Sequence, residues 1–492
     1  MNVRRAWRSF DLALFVALLA LVAIGVTMIY SATVNTEGVG NPVRRQILYT
    51  LVGLGLFFLA TAFDYRLLEI VQHPFPILAP LMLVSAQAAL LVDWRAAQLR
   101  EAEQALTFAG FRPDFPAVIL GAVLVLAVFL ADRAWLRRID TALARVLVSV
   151  VAMAGVLLVT YFLTRFDLVR LQALRVYLVA MALAAVYLVD CLSLRFTDVL
   201  RNPIYVFILL SLGLTLVIGQ VAGGAQSWLG AGAVQPSELS KVLLIIVLAH
   251  FFSERQQQMD QLGTVIASLL VVAVPALLIY VQPDLGTALT LVPLWAGIGW
   301  MAGLRLRHLF LLLVAGVGAV PIAWFGIEDY MRDRILLFFN PESDPDSYFN
   351  VHQSLVSIGS GGLLGKGLTK GSQSQLHFLR VRHTDFIFAV TAEELGFVGA
   401  AALIALLGFL VWRMLSVADR SRDTFGRLLA SGVAAVILFQ AVINIGMNLG
   451  ILPVTGLPLP FVSYGGSSLV TLMFGAGLVE SAALRHKKLE FD

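Results

Sequence analysis

His383-Thr384-Asp385-Phe386-Ile387-Phe388, followed by Ala392-Glu393-Glu394-Leu395-Gly396, is the stretch on which the reading of this chain turns. It closes a long polar loop and opens an apolar helix, which sets an imidazole and a carboxylate two residues apart at a membrane border. Ionisable groups in such a place are costly to desolvate and serve chemistry or transport. Position alone weighs Asp385 evenly as a helix N-cap, with Thr384 an equal candidate for that role, and as a catalytic carboxylate; the two roles are compatible. Glu393 and Glu394 lie about 12 Å further along the helix, and structural pairing with a buried base is the expectation for one of them.

The surroundings are apolar. Of 492 residues, 59% are hydrophobic and 13% charged, with a mean hydropathy of +0.87, whereas soluble domains carry roughly 25% charged residues. Repeated apolar runs of about 20 residues define an all-α polytopic membrane protein. The net charge of +4 does not point to nucleic acid, because the basic residues stand in short loops where they orient helices. Cys191 is the only cysteine, which excludes disulfides within the chain and thiolate metal sites. Arg4, Arg5 and Arg8 precede an apolar run too long for a signal peptide, so the expectation is an uncleaved first span.

Hydropathy gives about fourteen candidate spans, starting near Phe10, Gln46, Phe75, Pro116, Val146, Val176, Pro203, Ser237, Gly263, Leu285, His308, Asp385, Gly426 and Phe461. An even number places both termini on one side, and the positive-inside rule makes that side cytoplasmic. Ile327 to Thr384 is then the longest loop, extracytoplasmic and structureless in expectation, and loops of that length are usually functional.

Further candidates stand at helix starts. In Gln235-Pro236-Ser237-Glu238-Leu239-Ser240-Lys241, Pro236 suits a first helical turn. Glu238 and Lys241 share a face and can neutralise each other. Gln282-Pro283-Asp284 repeats the arrangement, with Asp284 where a helix dipole favours an anion. Trp228 reads as an interfacial residue or a ligand platform. The loop supplies Arg332, Arg334, Lys366, Lys370, Arg380, Arg382 and His383, cations that suit the diphosphate of a lipid-linked substrate or are the ordinary surface charge of a solvated loop. Gly365-Lys366-Gly367 is not a P-loop, since Ser360 stands where the first glycine belongs. Asn448 to Ser468 is rich in proline and glycine, and at membrane depth such a run reads as a broken or re-entrant segment lining a polar cavity.

Taken in order, these pieces resemble the SEDS family (shape, elongation, division and sporulation), whose RodA and FtsW branches polymerise peptidoglycan. The motifs are Asn340-Pro341 with Asp344-Pro345, Gln353-Ser354, Ile358-Gly359-Ser360-Gly361-Gly362-Leu363-Leu364-Gly365-Lys366-Gly367, and Gly371-Ser372-Gln373-Ser374-Gln375-Leu376, the last closer to the RodA branch. The resemblance covers roughly residues 10–66 and 203–483. It implies a bundle of about ten transmembrane helices, to which the block 74–195 adds about four. The implied segments are 1–73 for the first two family helices, 74–195 for the insert, 196–326 for helices three to seven, 327–384 for the loop, and 385–492 for the last three helices and a cytoplasmic tail. Two departures stand out: Ser227 replaces the arginine usual before Trp228, and Arg380-Val381 replaces an acidic segment.

The resemblance further implies inverting transfer between lipid II molecules at the bacterial cytoplasmic membrane, in elongation and shape maintenance. Asp385 would be the general base. Trp228, Glu238, Lys241, Asp284, Gln353, Ser354, Lys366, Lys370, Arg382, His383, Ser463 and Tyr464 would serve substrate binding. The implied partner is a class B penicillin-binding protein, a transpeptidase. No metal-ligand spacing is present, and a divalent cation, Mg or Mn, is the one cofactor this chemistry admits. A lipid II flippase and a non-catalytic scaffold for a transpeptidase stay open as alternatives.

Overall fold

The computed structural model describes residues 10–34, 42–71, 199, 202–218, 220–222, 225–228, 235–312, 314, 316, 318, 332, 336–340, 345–376, 378–379 and 381–485. The spans expected at Phe75, Pro116, Val146 and Val176, and with them the inserted block, lie outside the described residues. In chain order the main elements are α1 (Leu12–Thr33), α2 (Pro42–Ala62), α3 (Pro203–Ile218), β1 (Gln220–Ala222), β2 (Ala225–Trp228), α4 (Pro236–Glu254), α5 (Leu262–Val281), α6 (Leu285–Met301), α7 (Pro345–Ser360), α8 (Ser372–Gln375), α9 (Ile387–Arg420), α10 (Thr424–Asn448) and α11 (Gly466–Leu484), with a five-residue helix, Leu67–Val71, after α2 and a short 3-10 turn, Gln256–Gln258, after α4. Seven of these, α1, α2, α4, α5, α9, α10 and α11, are long and apolar enough to cross a membrane, and α3 and α6 are shorter apolar helices. The chain is a multi-pass, essentially all-helical membrane protein.

Local sequence fixes the helix starts. Asp11 accepts the Leu14 N–H at 3.1 Å and caps α1. Asp423 accepts the Gly426 N–H at 2.8 Å and caps α10. Pro236 occupies the first turn of α4, as expected from its missing N–H. The last span begins at Gly466 rather than near Phe461, because the intervening residues stay irregular.

The chain divides into two compact units. The first comprises Met1–Leu68, Ala233–Asp260 and Leu285–Asp492. Its centre is α10, which packs against α4, α6, α7, α9 and α11. Leu428, Leu429, Val433, Val436 and Ile437 of α10 are buried in these contacts. α2 and α11 approach backbone to backbone: a Cβ at Gly477 would stand 2.5 Å from the Phe57 carbonyl oxygen. Small residues permit such approach in lipid, where packing replaces the hydrophobic effect as the force joining helices.

The second unit comprises Glu69–Gly232 and Gln261–Asp284. There α3 packs on α5, with the Tyr205 hydroxyl donating to the Val271 carbonyl at 3.0 Å and the Gln282 amide donating to the Leu212 carbonyl at 2.9 Å. β1 and β2 form an antiparallel pair that sets Trp228 opposite Gln220, a small non-helical addition to the expected fold.

The loop expected to be structureless holds two helices among its described residues, α7 and α8. α7 fills 16 residues of it, opened by Pro345. Tyr348, Val351 and Ile358 recur at helical spacing and pack on Leu379, Phe386, Ala389 and Val390. α9 holds a second departure from expectation. It is assigned 34 residues, but Gly396 takes φ 70° and ψ −169° and divides it. At 1.5 Å per residue an unbroken helix of that length would run about 51 Å, against a hydrocarbon core of about 30 Å.

Candidate active site

The hexapeptide Val381–Phe386 is held through its main chain. The His383 carbonyl accepts the Tyr464 N–H at 2.9 Å. The Thr384 carbonyl accepts the Ser463 hydroxyl at 2.6 Å. The Asp385 carbonyl accepts the side-chain amides of Asn444 and Asn448, each at 3.0 Å. Three consecutive carbonyls are therefore fixed by the end of α10 and by the irregular run that follows it. Burial explains the choice of partners, because a buried carbonyl without a donor costs about 1–3 kcal/mol.

The start of α9 differs from the expected N-cap. Phe386 occupies the cap position and its side chain makes no cap bond. The acceptor comes from another helix: the Ala389 N–H donates to Asn448 Oδ1 at 3.2 Å. Thr384 turns its hydroxyl to the Val381 carbonyl. Asp385 itself is half-buried. Its carboxylate lies over Gly456, where a Cβ would come 4.0 Å from Oδ2. Gly456 has φ 73° and, with no side chain, leaves room beside the carboxylate.

The proline- and glycine-rich run is irregular from Gly450 to Gly465 and buries Leu457, Leu459, Phe461 and Val462. Its backbone is satisfied from the sides. Asn444 donates to the Leu457 carbonyl at 2.8 Å, and the Leu459 N–H donates to Ser463 Oγ at 2.9 Å. Phe461 holds φ 65°, a conformation that costs a non-glycine residue about 1–3 kcal/mol and is found at functional sites. Ser354 of α7 donates to the Asn448 carbonyl at 2.8 Å. Asn448 thus joins α7, α9 and α10 at one point.

His383 packs its ring 5.6 Å from that of Tyr464. Burial, helped by the Arg382 guanidinium, holds its imidazole below the usual range, so it is neutral near pH 7. Arg382 is buried, and its Nε donates to the Ala32 carbonyl at the end of α1 at 2.6 Å.

The structure brings Arg382, His383, Asp385, Ser463, Tyr464 and Ser354 into one neighbourhood. Gln353, the neighbour of Ser354 on α7, is half-buried, and its carbonyl accepts the Ser357 hydroxyl. Other nominated residues have different surroundings. Lys366 is tied to Glu393 at 2.9 Å and to Ser372 at 2.8 Å, which makes it a structural counterion; this is the pairing expected of one of the two glutamates. Glu238 and Lys241 form a buried pair at 2.7 Å within α4. Lys370 is exposed on the loop. Trp228 and Asp284 belong to the second unit. Asn444 was not singled out by sequence reasoning, although an amide four residues from Asn448, on the same face of an apolar helix, was a readable signal. Ser31 carried no such signal. Among the described residues, no group of three or more His, Cys, Asp or Glu is placed to hold a metal ion.

A membrane helix bundle that presents one clamped aspartate beside a broken, proline-rich segment is a class with known members. The family model for FtsW, RodA and SpoVE, described as cell cycle protein, matches residues 138–488, and the chain belongs to that family. The match takes in residues 138–195 of the block read as an insert. The peptidoglycan glycosyltransferase MrdB of Escherichia coli K12 is 42% identical over 290 residues, which are 58% of this chain and 78% of MrdB. Stage V sporulation protein E of Bacillus subtilis is 39% identical over 278 residues, 56% of this chain and 75% of that protein. A chain from a peptidoglycan synthase complex, solved to explain how polymerization and crosslinking are coordinated, matches with a TM-score of 0.51 at 33% identity, over 64% of this chain and 90% of that one. RodA of Thermus thermophilus shares the fold, with a TM-score of 0.54 at 24% identity over 99% of each chain.

Proposed function

We propose that Asp385 is the general base of a lipid-linked glycosyl transfer. The chain is a peptidoglycan glycosyltransferase that acts in cell-wall synthesis, as its family and its named relatives indicate. Two lipid II molecules, undecaprenyl-linked disaccharide-pentapeptides, occupy the site together. Asp385 takes the proton from the GlcNAc 4-hydroxyl of one. That oxygen attacks the anomeric carbon of the other with inversion, and undecaprenyl diphosphate leaves. The observation that carries this reading is the clamp on His383, Thr384 and Asp385, which fixes the carboxylate's backbone while leaving its side chain half-exposed over Gly456.

A positioned base contributes roughly 10²–10⁴-fold. The rest comes from orientation and from stabilising the departing diphosphate. Arg382 and Lys370 are the cations assigned to the diphosphate, with His383, Ser463 and Tyr464 lining the acceptor side. The enzyme sits in the bacterial cytoplasmic membrane with both termini inside and the α7–α8 loop outside, and its partner is a class B penicillin-binding protein that crosslinks the product.

Glycan-strand formation from purified lipid II, with and without the cognate transpeptidase, tests the reading. Polymer from wild type and none from a folded Asp385→Ala variant supports it. Polymer from that variant refutes the base assignment. Translocation without polymer in wild type moves the chain to a transport role.

A further inference from the structure

Two carboxylates of α9, Glu393 and Glu394, are fully buried, and the chemistry given to Asp385 does not use them. Glu393 serves the loop alone. It accepts from Lys366, from the Ser372 hydroxyl and from the N–H groups of Gln373 and Ser374. Glu394 reaches further, accepting the Ser31 hydroxyl of α1 together with the Thr369 N–H at 3.2 Å and the Ser374 hydroxyl at 3.4 Å. Ser31 Oγ also takes the Thr369 N–H at 2.9 Å, and the Ser31 carbonyl takes the Gln375 amide at 2.9 Å. One residue on, the Ala32 carbonyl takes Arg382 Nε. These carbonyls belong to the last turn of α1, where a helix leaves its acceptors open.

The contacts close a ring. From Asp385 the chain enters α9 and runs to Glu394; Glu394 binds Ser31; the next residue, Ala32, binds Arg382; and Arg382 leads back to Asp385. We propose that Glu394 is a positioning residue for glycosyl transfer, acting through Ser31 on the segment that presents Asp385. The proposal rests on Asp385 as the base.

The outer piece of α9 needs such a tie because Gly396 breaks its ladder. The N–H groups of Lys366 and Gly367 donate to the carbonyls of Glu393 and Glu394, and the N–H groups of Phe397 and Val398 donate to the carbonyls of Gly362 and Leu363. The loop is spliced into the helix. The outer piece, Ile387–Leu395, is therefore oriented by the loop, by α1 and by Asn448 of α10 rather than by continuity with the span. Misplacing a reacting group by about 1 Å costs on the order of 10²-fold in rate.

The experiment uses the full-length protein in detergent and lipid II as substrate, with kcat, KM and the melting temperature read separately. Glu394→Gln keeps the shape but puts an amide N–H in place of one acceptor oxygen, facing either the Ser31 hydroxyl and the Thr369 N–H at the Oε2 position or the Ser374 hydroxyl at the Oε1 position. Ser31→Ala removes the link on the other side, and Ser31→Thr keeps the hydroxyl. The expected result is a kcat lower by about 10–100-fold in Glu394→Gln and Ser31→Ala, an unchanged KM, a displaced acid limb of the pH–kcat profile, and recovery in Ser31→Thr. Wild-type kcat in both variants overturns the proposal. So does a fall in kcat that only follows the loss of folded protein. If Glu394→Gln does not fold, the Ser31 pair decides by the same readings. Asp385→Ala runs alongside: activity in that variant removes the base reading and the proposal with it, whereas a dead Asp385→Ala beside fully active Glu394 and Ser31 variants removes the proposal alone.

Discussion

Asn448 holds Asp385 from the side, its amide nitrogen 3.0 Å from the Asp385 carbonyl oxygen while its amide oxygen takes the Ala389 N–H. A single side chain on α10 thus fixes Asp385, two residues before α9, and the first turn of α9 together. Asn444, one turn earlier, adds a second donor to the same carbonyl.

Asn448→Ala removes one of the two donors to the Asp385 carbonyl and one of the two acceptors of the Ala389 N–H, which keeps the Phe386 carbonyl at 3.1 Å, and so weakens the clamp. The expected cost is about 0.5–1.5 kcal/mol of stability for each hydrogen bond lost, with a fall in kcat larger than that in thermal stability. Strand formation and a melting curve on the same preparation measure both. Equal, small effects would show that Asn444 suffices.

The Glu238–Lys241 pair gives a second test. Both side chains are almost wholly buried, at 4% and 0% exposure. Removing one partner strands a charge, so Lys241→Met and Glu238→Leu should each destabilise by about 3–5 kcal/mol, and the double variant should recover most of it. Thermal unfolding in detergent reads the cycle. If the pair also binds substrate, the double variant will fold yet stay inactive.

Gly365 has φ 79°, and a Cβ there would run into the Glu394 carbonyl. Gly365→Ala therefore opens the splice, at about 1–3 kcal/mol from the backbone conformation alone. Limited proteolysis between α7 and α8 should then cut the variant faster than wild type. Equal rates would mean that the loop is held some other way.

His383 makes stability depend on pH. Its imidazole lies below its ordinary value of about 6.5 in the folded chain. The unfolded chain therefore binds more protons over that interval, and stability rises with pH there. The contribution is complete above about pH 6.5 and is lost as pH falls through the folded value. Melting temperatures between pH 5 and 7.5 should drop at the acid end, and His383→Gln should flatten the curve; a parallel drop in the variant would assign the effect elsewhere.

EDTA should leave the rate within about twofold of untreated enzyme, since the site is read as using protein cations against the diphosphate. A collapse of activity restored by Mg or Mn would give that task to a metal.

Most helix positions were legible because lipid-crossing segments must be apolar over about 20 residues. α1, α2, α4, α5, α6, α9 and α10 begin within a few residues of where hydropathy places them. α7 was missed because its polar face (Asn350, His352, Gln353) pulls hydropathy down, while its apolar contacts come only from Tyr348, Val351 and Ile358. The break at Gly396 was hidden inside a run that scans as one long helix. Its cause lies in another segment, residues 362–367, whose main chain replaces the helix's own bonds. Asp385 was readable as a charged residue at a membrane border, but its clamp was not, since Tyr464, Ser463, Asn444 and Asn448 act on backbone carbonyls that no side-chain pattern reveals.

The splice at Gly396 also bears on how the protein is assembled. The segment around residues 393–398 cannot complete its own hydrogen bonding as it is synthesised; its partners lie in a loop made earlier, which must already be on the correct side of the bilayer when the helix arrives. A chain whose loop stayed behind would leave four main-chain hydrogen bonds unmade, and in a water-poor setting each costs several kcal/mol. Correct threading is thus built into the stability of the finished enzyme, and good packing elsewhere in the bundle cannot make up for a failure at this joint.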